Sequence, residues 1–453
     1  MAARAKQVKR DKEPLHPPQS DQVDQVLRYL GWAYILLLVI EGALRKWLLP
    51  GLSDVLLLAR DPVVLAAYGW CLIHKRLPFN GYVVAAALLT LLCALTATFW
   101  GHGDIRVTLF GIRTNFLHFP FAFIMGRVFF REDVIRIGRW WLWGSLAMTV
   151  IIVLQFYSPQ SAWINRSVGG AEGGGFAGAL GRYRPPGTFS FIIGTVQFYT
   201  LTTAFLIAGM TQHRRYSQLL VILSAGALLL AIPVSISRSL ILSCAITIMT
   251  GLATAGMQKG AALRLFRILV FGVLGLLIVA QIPVFDEARE AFTARWESST
   301  GKAKGGFKEA ILGRVVEMLT GPFTETAELP IFGYGIGMGT QVGSQLMTGE
   351  EGFSLGESEW YRMIGEYGLA LGFLFIVWRI ALTFKLFTLG MTALRRGNGL
   401  GLIILSTAAF NIITGQLGQT TVNGFTVIGI GLTIAAMRIP KTPKKTTDEP
   451  SEA

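Results

Sequence analysis

Four arginines stand in short polar segments between long apolar runs of this sequence. Arg182 and Arg184 lie in GRYRPPGTF, and Arg238 lies in SISRSL. Arg314 lies in the polar stretch 284–357. A guanidinium group stays charged when it is partly desolvated, and its paired donors match the oxygens of a phosphate. These arginines therefore predict a site that binds a phosphate-bearing group.

Simpler roles are open for the same arginines. Arg182 and Arg184 could extend from the end of a membrane helix to lipid headgroups. Arg314 could pair with acidic residues on one face of its own helix, which adds only a few tenths of a kcal/mol. Arg238 has no other charge near it in the sequence, so headgroup contact accounts for it less completely.

A second cluster of charges lies where this polar stretch meets the next apolar run. It contains Glu357, Glu359, Arg362 and Glu366. Glu357 could be an acid favoured by a helix amino terminus. The i,i+3 and i,i+4 spacing of the other three predicts a salt-bridged helix face, and Arg362 is also a candidate for substrate binding.

The glycine run GYGIGMG contains Gly333 and Gly335. It lacks the Lys-Ser/Thr that ends a nucleotide-binding P-loop, so a tight loop that allows close backbone approach is the better interpretation. Both glycines are candidates for substrate contact. The five histidines are scattered along the chain, and we expect neither a metal site nor a cofactor.

Charges also interrupt two early apolar runs. Arg60 and Asp61 stand together before Pro62, where an Arg–Asp pair could brace a broken helix. Arg113 lies near the non-cytoplasmic end of its own predicted span and is a further arginine that could bind substrate. A charge inside a membrane span is a functional candidate by default, so bracing and function both stay open here.

The composition predicts a polytopic membrane protein that is all α-helical. Of 453 residues, 52% are hydrophobic and 15% charged, whereas soluble domains carry about 25% charged residues. Several apolar windows are about 20 residues long, enough to span a bilayer as helices. The net charge of +14 is explained by basic loops on the cytoplasmic side, so we expect no nucleic-acid partner.

The alternation of basic loops predicts about 12 transmembrane helices with both termini cytoplasmic. One span, at Arg60–Asp61, is interrupted, and no internal repeat is evident. The polar stretch contains two segments, EAREAFTARWESS and FKEAILGRVVEMLTG, with the apolar spacing of amphipathic helices on a membrane surface. The predicted organisation is a disordered cytoplasmic tail (1–28), transmembrane helices 1–9 (29–283), a large outer loop (284–357), transmembrane helices 10–12 (358–438) and a second disordered cytoplasmic tail (439–453).

Taken in order, these motifs resemble those of the O-antigen ligase and O-antigen (exopolysaccharide) polymerase superfamily of bacterial inner-membrane proteins. The resemblance is clearest over residues 180–375. It is carried by RPPGTF with Arg184, the turn Ser237-Arg238-Ser239, Arg314 upstream of Pro330, Gly333 and Gly335, and Glu366-Tyr367-Gly368 where the chain re-enters the membrane.

The resemblance implies a membrane glycosyltransferase of the bacterial inner membrane, with the outer loop in the periplasm. Its donor would be an oligosaccharide on undecaprenyl diphosphate, and its acceptor a glycan or a lipid. Arg184, Arg238 and Arg314 would hold the diphosphate, and Glu357 would take the proton of the acceptor hydroxyl. Ligases of this family carry His where this chain has Glu357, so polymerase and ligase both stay open.

Two other classes of function compete with this interpretation. A transporter or flippase of lipid-linked sugars could use the same arginines to bind phosphate without breaking a bond. Paired broken helices and an inverted repeat would favour a transporter. A scaffold of an envelope complex with a degenerate site is the third possibility.

Overall fold

The computed structural model is a bundle of α-helices. It describes residues 22–171, 177–212, 214–257, 286–300, 306–324, 329–349 and 358–438, with isolated positions between 266 and 281. A short antiparallel pair, β1 (Ala177–Ala179) and β2 (Arg182–Tyr183), accompanies the helices. The α-helices are α1 (Gln22–Ala43), α2 (Ser53–Leu56), α3 (Asp61–Ile73), α4 (Gly81–Phe99), α5 (Ile105–Ile112), α6 (Phe119–Val128), α7 (Arg131–Tyr157), α8 (Ile192–Thr211), α9 (Gln218–Val234), α10 (Arg238–Gly256), α11 (Asp286–Thr300), α12 (Gly306–Thr324), α13 (Gln341–Thr348), α14 (Glu359–Arg395), α15 (Leu400–Thr414) and α16 (Thr420–Met437).

Nine helical segments in the described part of the chain are long and apolar enough to cross a membrane. This confirms a multi-pass, α-helical membrane protein but not the full predicted count of about 12. The shorter apolar helices α9 and α15 match two further predicted spans. The ninth of the predicted transmembrane helices corresponds to the apolar run 266–283, which lies largely outside the described residues.

The first helix begins earlier than the sequence pattern indicates. Residues 22–28, which we assigned to a disordered tail, belong to α1. Val23 and Leu27 are one helical turn apart and both are buried in the core, so their packing extends the helix into a polar sequence. The two amphipathic segments of the polar stretch are helices, as predicted, and form α11 and α12.

The helix α8 lies at the centre of the bundle. The most apolar stretch of α8 is 94% buried, compared with 78% for that of α16 and 22–56% for those of the other long segments. It packs against α7, α9, α10, α15 and α16. A helix that is apolar all round belongs in such a central position, whereas the outer helices expose Leu and Phe side chains of the kind that face lipid.

More spans are interrupted than the sequence predicts. α1 runs into a π-helical turn (Leu44–Leu48), and α5 runs into another (Arg113–Leu117) before α6. α14 is broken at Gly368, where φ is 74° and ψ is 170°. Only the interruption before Asp61 is predicted from the sequence, although Pro50 and Pro120 follow the two π-turns closely and a proline favours a break in a helix.

The bundle has two chemically different ends. At one, which we call the basic end, Arg76 pairs with Asp24 at 3.1 Å, Arg28 donates to the carbonyl of Val128 at 2.7 Å, and Arg438 donates to the carbonyl of Phe129 at 3.2 Å. The other, which we call the site end, holds the amino ends of α8, α10, α14 and α16. This division agrees with the predicted alternation of basic loops.

Candidate functional site

A cavity of about 320 Å³ lies at the site end. Its walls come from the start of α8, the connection between α15 and α16, Gln341 at the start of α13, and Arg184. Phe410 of the lining is 61% exposed, so the cavity reaches the surface of the bundle. The central helix and two late helices therefore enclose a space beside a predicted phosphate-binding arginine.

Side-chain amides dominate the polar lining of this cavity. They belong to Gln197, Gln341, Asn411, Gln416 and Gln419. Gln419 donates from its Nε2 to Oε1 of Gln416. Gln197 is 6% exposed, and neither its Oε1 nor its Nε2 has a hydrogen-bond partner among the described residues. Amides both donate and accept, so this lining suits a ligand that carries both kinds of group.

Two helix amino termini also line the cavity. The residues before α8 and α16 are Phe191 and Gln419, and neither side chain caps its helix. The first backbone N–H groups of a helix carry partial positive charge and bind anions. The cavity therefore combines amides with a region of positive potential, even before its arginine is considered.

Three arginines gather beside the cavity. Burial, together with the positive charges of Arg295 and Arg238, lowers the pKa of Arg184 to about 10. Arg295, on α11, donates from Nη1 to the carbonyl of Gly178 at 2.9 Å, which holds α11 against β1. The structure thus brings together Arg184 and Arg238, as predicted from sequence, and adds Arg295. Positive charges that act on one another in this way favour an anionic ligand.

The turn that carries Arg238 has an unusual backbone. Ile236 has a φ of 47° and is fully buried. A β-branched residue in the left-handed region costs of order 1–3 kcal/mol and is held there only by its surroundings. Strain of this kind clusters at functional sites, and here it sets the direction in which α10 begins with Arg238.

Arg182 makes contacts that differ from those of this cluster. Its guanidinium pairs with Glu287 of α11 and donates to the carbonyl of Phe156 at 3.1 Å. It also lies 5.4 Å from the centre of the Phe156 ring. Arg182 therefore links α7 to α11, and the structure gives it a bracing position rather than a place in the lining of the cavity.

Three buried cations from other helices hold the walls of the cavity. Lys46 donates to the carbonyls of Gly187 and Phe189 at 2.5 and 2.8 Å, just before α8. Arg60 donates to the carbonyl of Thr420 at 2.6 Å, and Arg379 to that of Gly415 at 2.7 Å. Buried charges are stable only when they are paired and hydrogen-bonded. The carbonyl groups that these three cations bind belong to the segments that form the cavity.

The predicted salt-bridged face of α14 is present and fully buried. Arg362 binds Glu359 through two nitrogens at 2.8 and 2.9 Å, and Glu366 at 2.7 Å. Arg379 joins the network through Glu359 at 2.7 Å. Arg362 is 3% exposed and lies outside the cavity lining, so its geometry is that of a brace within α14.

The glycine run packs against the break in α14. Gly333 has a φ of 69°, and a Cβ placed there would lie 2.4 Å from the backbone nitrogen of Gly368. Gly335 has a φ of 109° and donates to the carbonyl of Glu366 at 2.9 Å. These contacts require glycine and show the close backbone approach that the run predicts. Neither glycine lines the cavity.

The early charges brace the interrupted helices with partners that the sequence does not indicate. Asp61 accepts two hydrogen bonds from Arg113, at 2.5 and 2.8 Å, and lies 3.0 Å from Nε2 of His118. Arg60 donates to Glu41 at 3.0 Å. Arg113 therefore lies in an ion pair between α3 and the π-turn after α5, away from the arginines beside the cavity.

Two predicted site residues fall where the structure gives no side-chain description. Glu357 lies outside the described residues, and Arg314 is placed within α12 without its side chain. Their roles stay predictions. Comparison with protein-family models and with curated proteins finds no match to this chain. The family resemblance therefore also stays a prediction, and the geometry of the cavity carries the functional argument.

Proposed function

We propose that this protein is a membrane glycosyltransferase that takes a glycan from a polyprenyl-diphosphate carrier. The observation that carries the proposal is the composition of the cavity, where Arg184 and two uncapped helix amino termini meet a lining of amides. The positive groups suit a diphosphate. The amides suit the hydroxyl groups of a sugar, because each can donate and accept.

The chemistry is a single displacement at the anomeric carbon. The oxygen of an acceptor hydroxyl forms a bond to this carbon while the bond to the diphosphate oxygen breaks, and the electron pair leaves with the diphosphate. Arg184 and Arg238, with Arg314 of the outer loop, stabilise the charge that develops on this leaving group. Glu357 takes the proton of the attacking hydroxyl. The displacement inverts the anomeric carbon.

The location of the site supports transfer at the outer face of the membrane. The basic end carries the arginines expected on the cytoplasmic side, and the site end is then periplasmic in a bacterial inner membrane. Both termini are cytoplasmic in this topology. The acceptor is either the next lipid-linked glycan, as in a polymerase, or a separate lipid, as in a ligase.

One observation favours a transporter of lipid-linked sugars as the second candidate. Spans that contain α1, α5 and α14 are interrupted by π-turns or by Gly368, and discontinuous helices form the substrate sites of many transporters. Such a protein would bind the same diphosphate and release the lipid unchanged.

Purified protein in detergent micelles separates the two functions. Micelles have no compartments, so transport leaves a polyprenyl-diphosphate oligosaccharide intact. Transfer releases sugar-free polyprenyl diphosphate, which mass spectrometry detects, when membrane lipids are supplied as acceptors. Recovery of the intact donor alone after prolonged incubation would count against the transferase.

A further inference from the structure

We propose that Gln197 binds the sugar directly attached to the diphosphate and selects among sugars at that position. The inference rests on the proposed function, because it places a glycosyl diphosphate in the cavity. It adds a specificity-determining residue that neither the sequence motifs nor the arginine cluster indicates. Gln197 lies on α8, one helical turn after Ile193. Both residues line the cavity.

The case for Gln197 begins with its unmet hydrogen-bonding capacity. Gln197 is only 6% exposed. Its amide oxygen and amide nitrogen both lack a hydrogen-bond partner among the described residues. A buried amide without partners costs free energy, and native proteins rarely keep one without a reason. Gln197 lines the cavity, and rotation about its side-chain torsions would present the amide to a ligand in that space.

The chemistry of the amide restricts the class of ligand. A lipid tail offers no partner, and an anion accepts from Nε2 but donates nothing to Oε1. Neighbouring groups of a sugar can donate to Oε1 and accept from Nε2 at the same time. The aromatic rings of Phe191 and Phe410 in the lining offer apolar surface to the C–H face of a sugar ring.

The size and charge of the cavity indicate which sugar of a glycan is bound. Its volume of about 320 Å³ is at the lower end of ligand pockets, which run from about 300 to 1,000 Å³. Arg184 and the two helix amino termini lie in the same cavity and attract the diphosphate. The sugar beside the diphosphate therefore occupies the amide-lined part, and the rest of the glycan extends out of the cavity.

The test is direct binding to purified protein in detergent, with probes that differ only in the sugar. The probes are farnesyl diphosphate, a panel of farnesyl diphosphates that each carry one hexose or one N-acetylhexosamine, and the corresponding free sugars. Gln197→Leu removes both hydrogen-bonding groups at similar volume. We expect it to weaken the best glycosylated probe about tenfold, the effect of losing one to two hydrogen bonds, with no change for farnesyl diphosphate.

Gln212→Leu provides the matched control. It makes the same chemical change in the residue that follows α8 at the basic end, where Gln212 accepts a hydrogen bond from Arg131, and we expect it to leave every probe unaffected. Gln197→Leu is also expected to melt at the same or a higher temperature than wild type, because it removes an unsatisfied buried amide.

Three outcomes would overturn the inference. They are equal weakening of glycosylated and sugar-free probes by Gln197→Leu, no preference of wild type for any glycosylated probe, and free sugars binding as tightly as their lipid-linked forms. Binding is measured without turnover. A protein that prefers glycosylated probes through Gln197 but transfers no sugar would contradict the proposed function and leave the role of Gln197 intact.

Discussion

Arg379 donates a hydrogen bond of 2.7 Å to the carbonyl oxygen of Gly415 and so ties the middle of α14 to a wall of the cavity. The same guanidinium reaches the carbonyls of Ile412 and Asn411 at 2.6 and 3.0 Å and the carboxylate of Glu359 at 2.7 Å. Burying a cation of this size is expensive unless every donor is used. The contacts explain why a charge is kept inside the bundle, because it positions the connection that carries the amides.

Replacing Arg379 tests this positioning role. Arg379→Met keeps much of the side-chain volume but removes the donors and one partner of Glu359. We expect a loss of about 3 kcal/mol or more, the usual result of breaking a buried ion pair, seen as a lower melting temperature. Lys385→Met is the control on the same helix, since Lys385 is exposed, and should change stability by less than about 0.5 kcal/mol.

Lys46 should hold the segment before α8 in the same way. Lys46→Met leaves the carbonyl of Phe189 without this donor. Among the described residues, the carbonyl of Gly187 then keeps only the bond from Gln155, at 3.2 Å. We expect a loss of about 2 kcal/mol and faster hydrogen exchange at residues 187–191, measured by mass spectrometry. Unchanged exchange there would mean that Lys46 does not hold this wall.

The packing of the glycine run against α14 can be separated from the cost of its backbone conformation. Gly333→Ala combines a positive φ of 69° with a Cβ 2.4 Å from the backbone of Gly368. Gly349→Ala has a similar φ of 77°, and no atom of the described residues lies close to the added Cβ. We expect about 1 kcal/mol of destabilisation at Gly349 from the backbone alone and about 3 kcal/mol at Gly333. Equal melting temperatures would contradict the close approach.

Burial of Arg184, together with the positive charges of Arg295 and Arg238, gives a prediction with a definite sign. The pKa of Arg184 is lowered to about 10, so its charge is disfavoured in the folded state below that pH, and the penalty is relieved as pH rises through about 10. At pH 7 and low salt, Arg184→Gln should therefore melt at a higher temperature than wild type in the absence of anions.

The same variant should lose the response to an anion. Inorganic pyrophosphate is expected to raise the melting temperature of wild type, and to do so less as salt screens the cluster. Arg184→Gln should show a much smaller rise, whereas Lys385→Gln should respond like wild type. A pyrophosphate response that survives in Arg184→Gln would remove Arg184 from the anion site.

Much of the scaffold follows from sequence pattern. Apolar windows give the spans, and the i,i+3 and i,i+4 spacing gives the ion pairs of Arg362 with Glu359 and Glu366. GYGIGMG gives a close backbone approach. The spans and ion pairs are local, so residues near one another in the chain determine them. The partner of the glycine run is not local, because Gly368 lies far along the chain from Gly333.

The cavity itself is formed by residues that are far apart in the sequence. Gln197 sits in an uncharged apolar helix and looks like an ordinary core position until α15 and α16 pack beside it. Lys46 and Arg379 act on carbonyls 141 and 36 residues away, and no spacing rule reaches that far. Arg295 lies in an amphipathic segment, where the sequence pattern alone predicts an ordinary solvent-exposed charge. The sequence did suggest Arg184 and Arg238, because an arginine between apolar runs needs a compensating partner.

Release of sugar-free polyprenyl diphosphate from a lipid-linked oligosaccharide, compared in micelles between wild type and Arg238→Gln, tests the central claim most directly. The account predicts release by wild type and a rate about 10²–10³-fold lower for Arg238→Gln, the usual cost of removing one group that stabilises developing charge. Lys385→Gln should match wild type. Equal rates for wild type and Arg238→Gln, or intact donor in every sample, would contradict it.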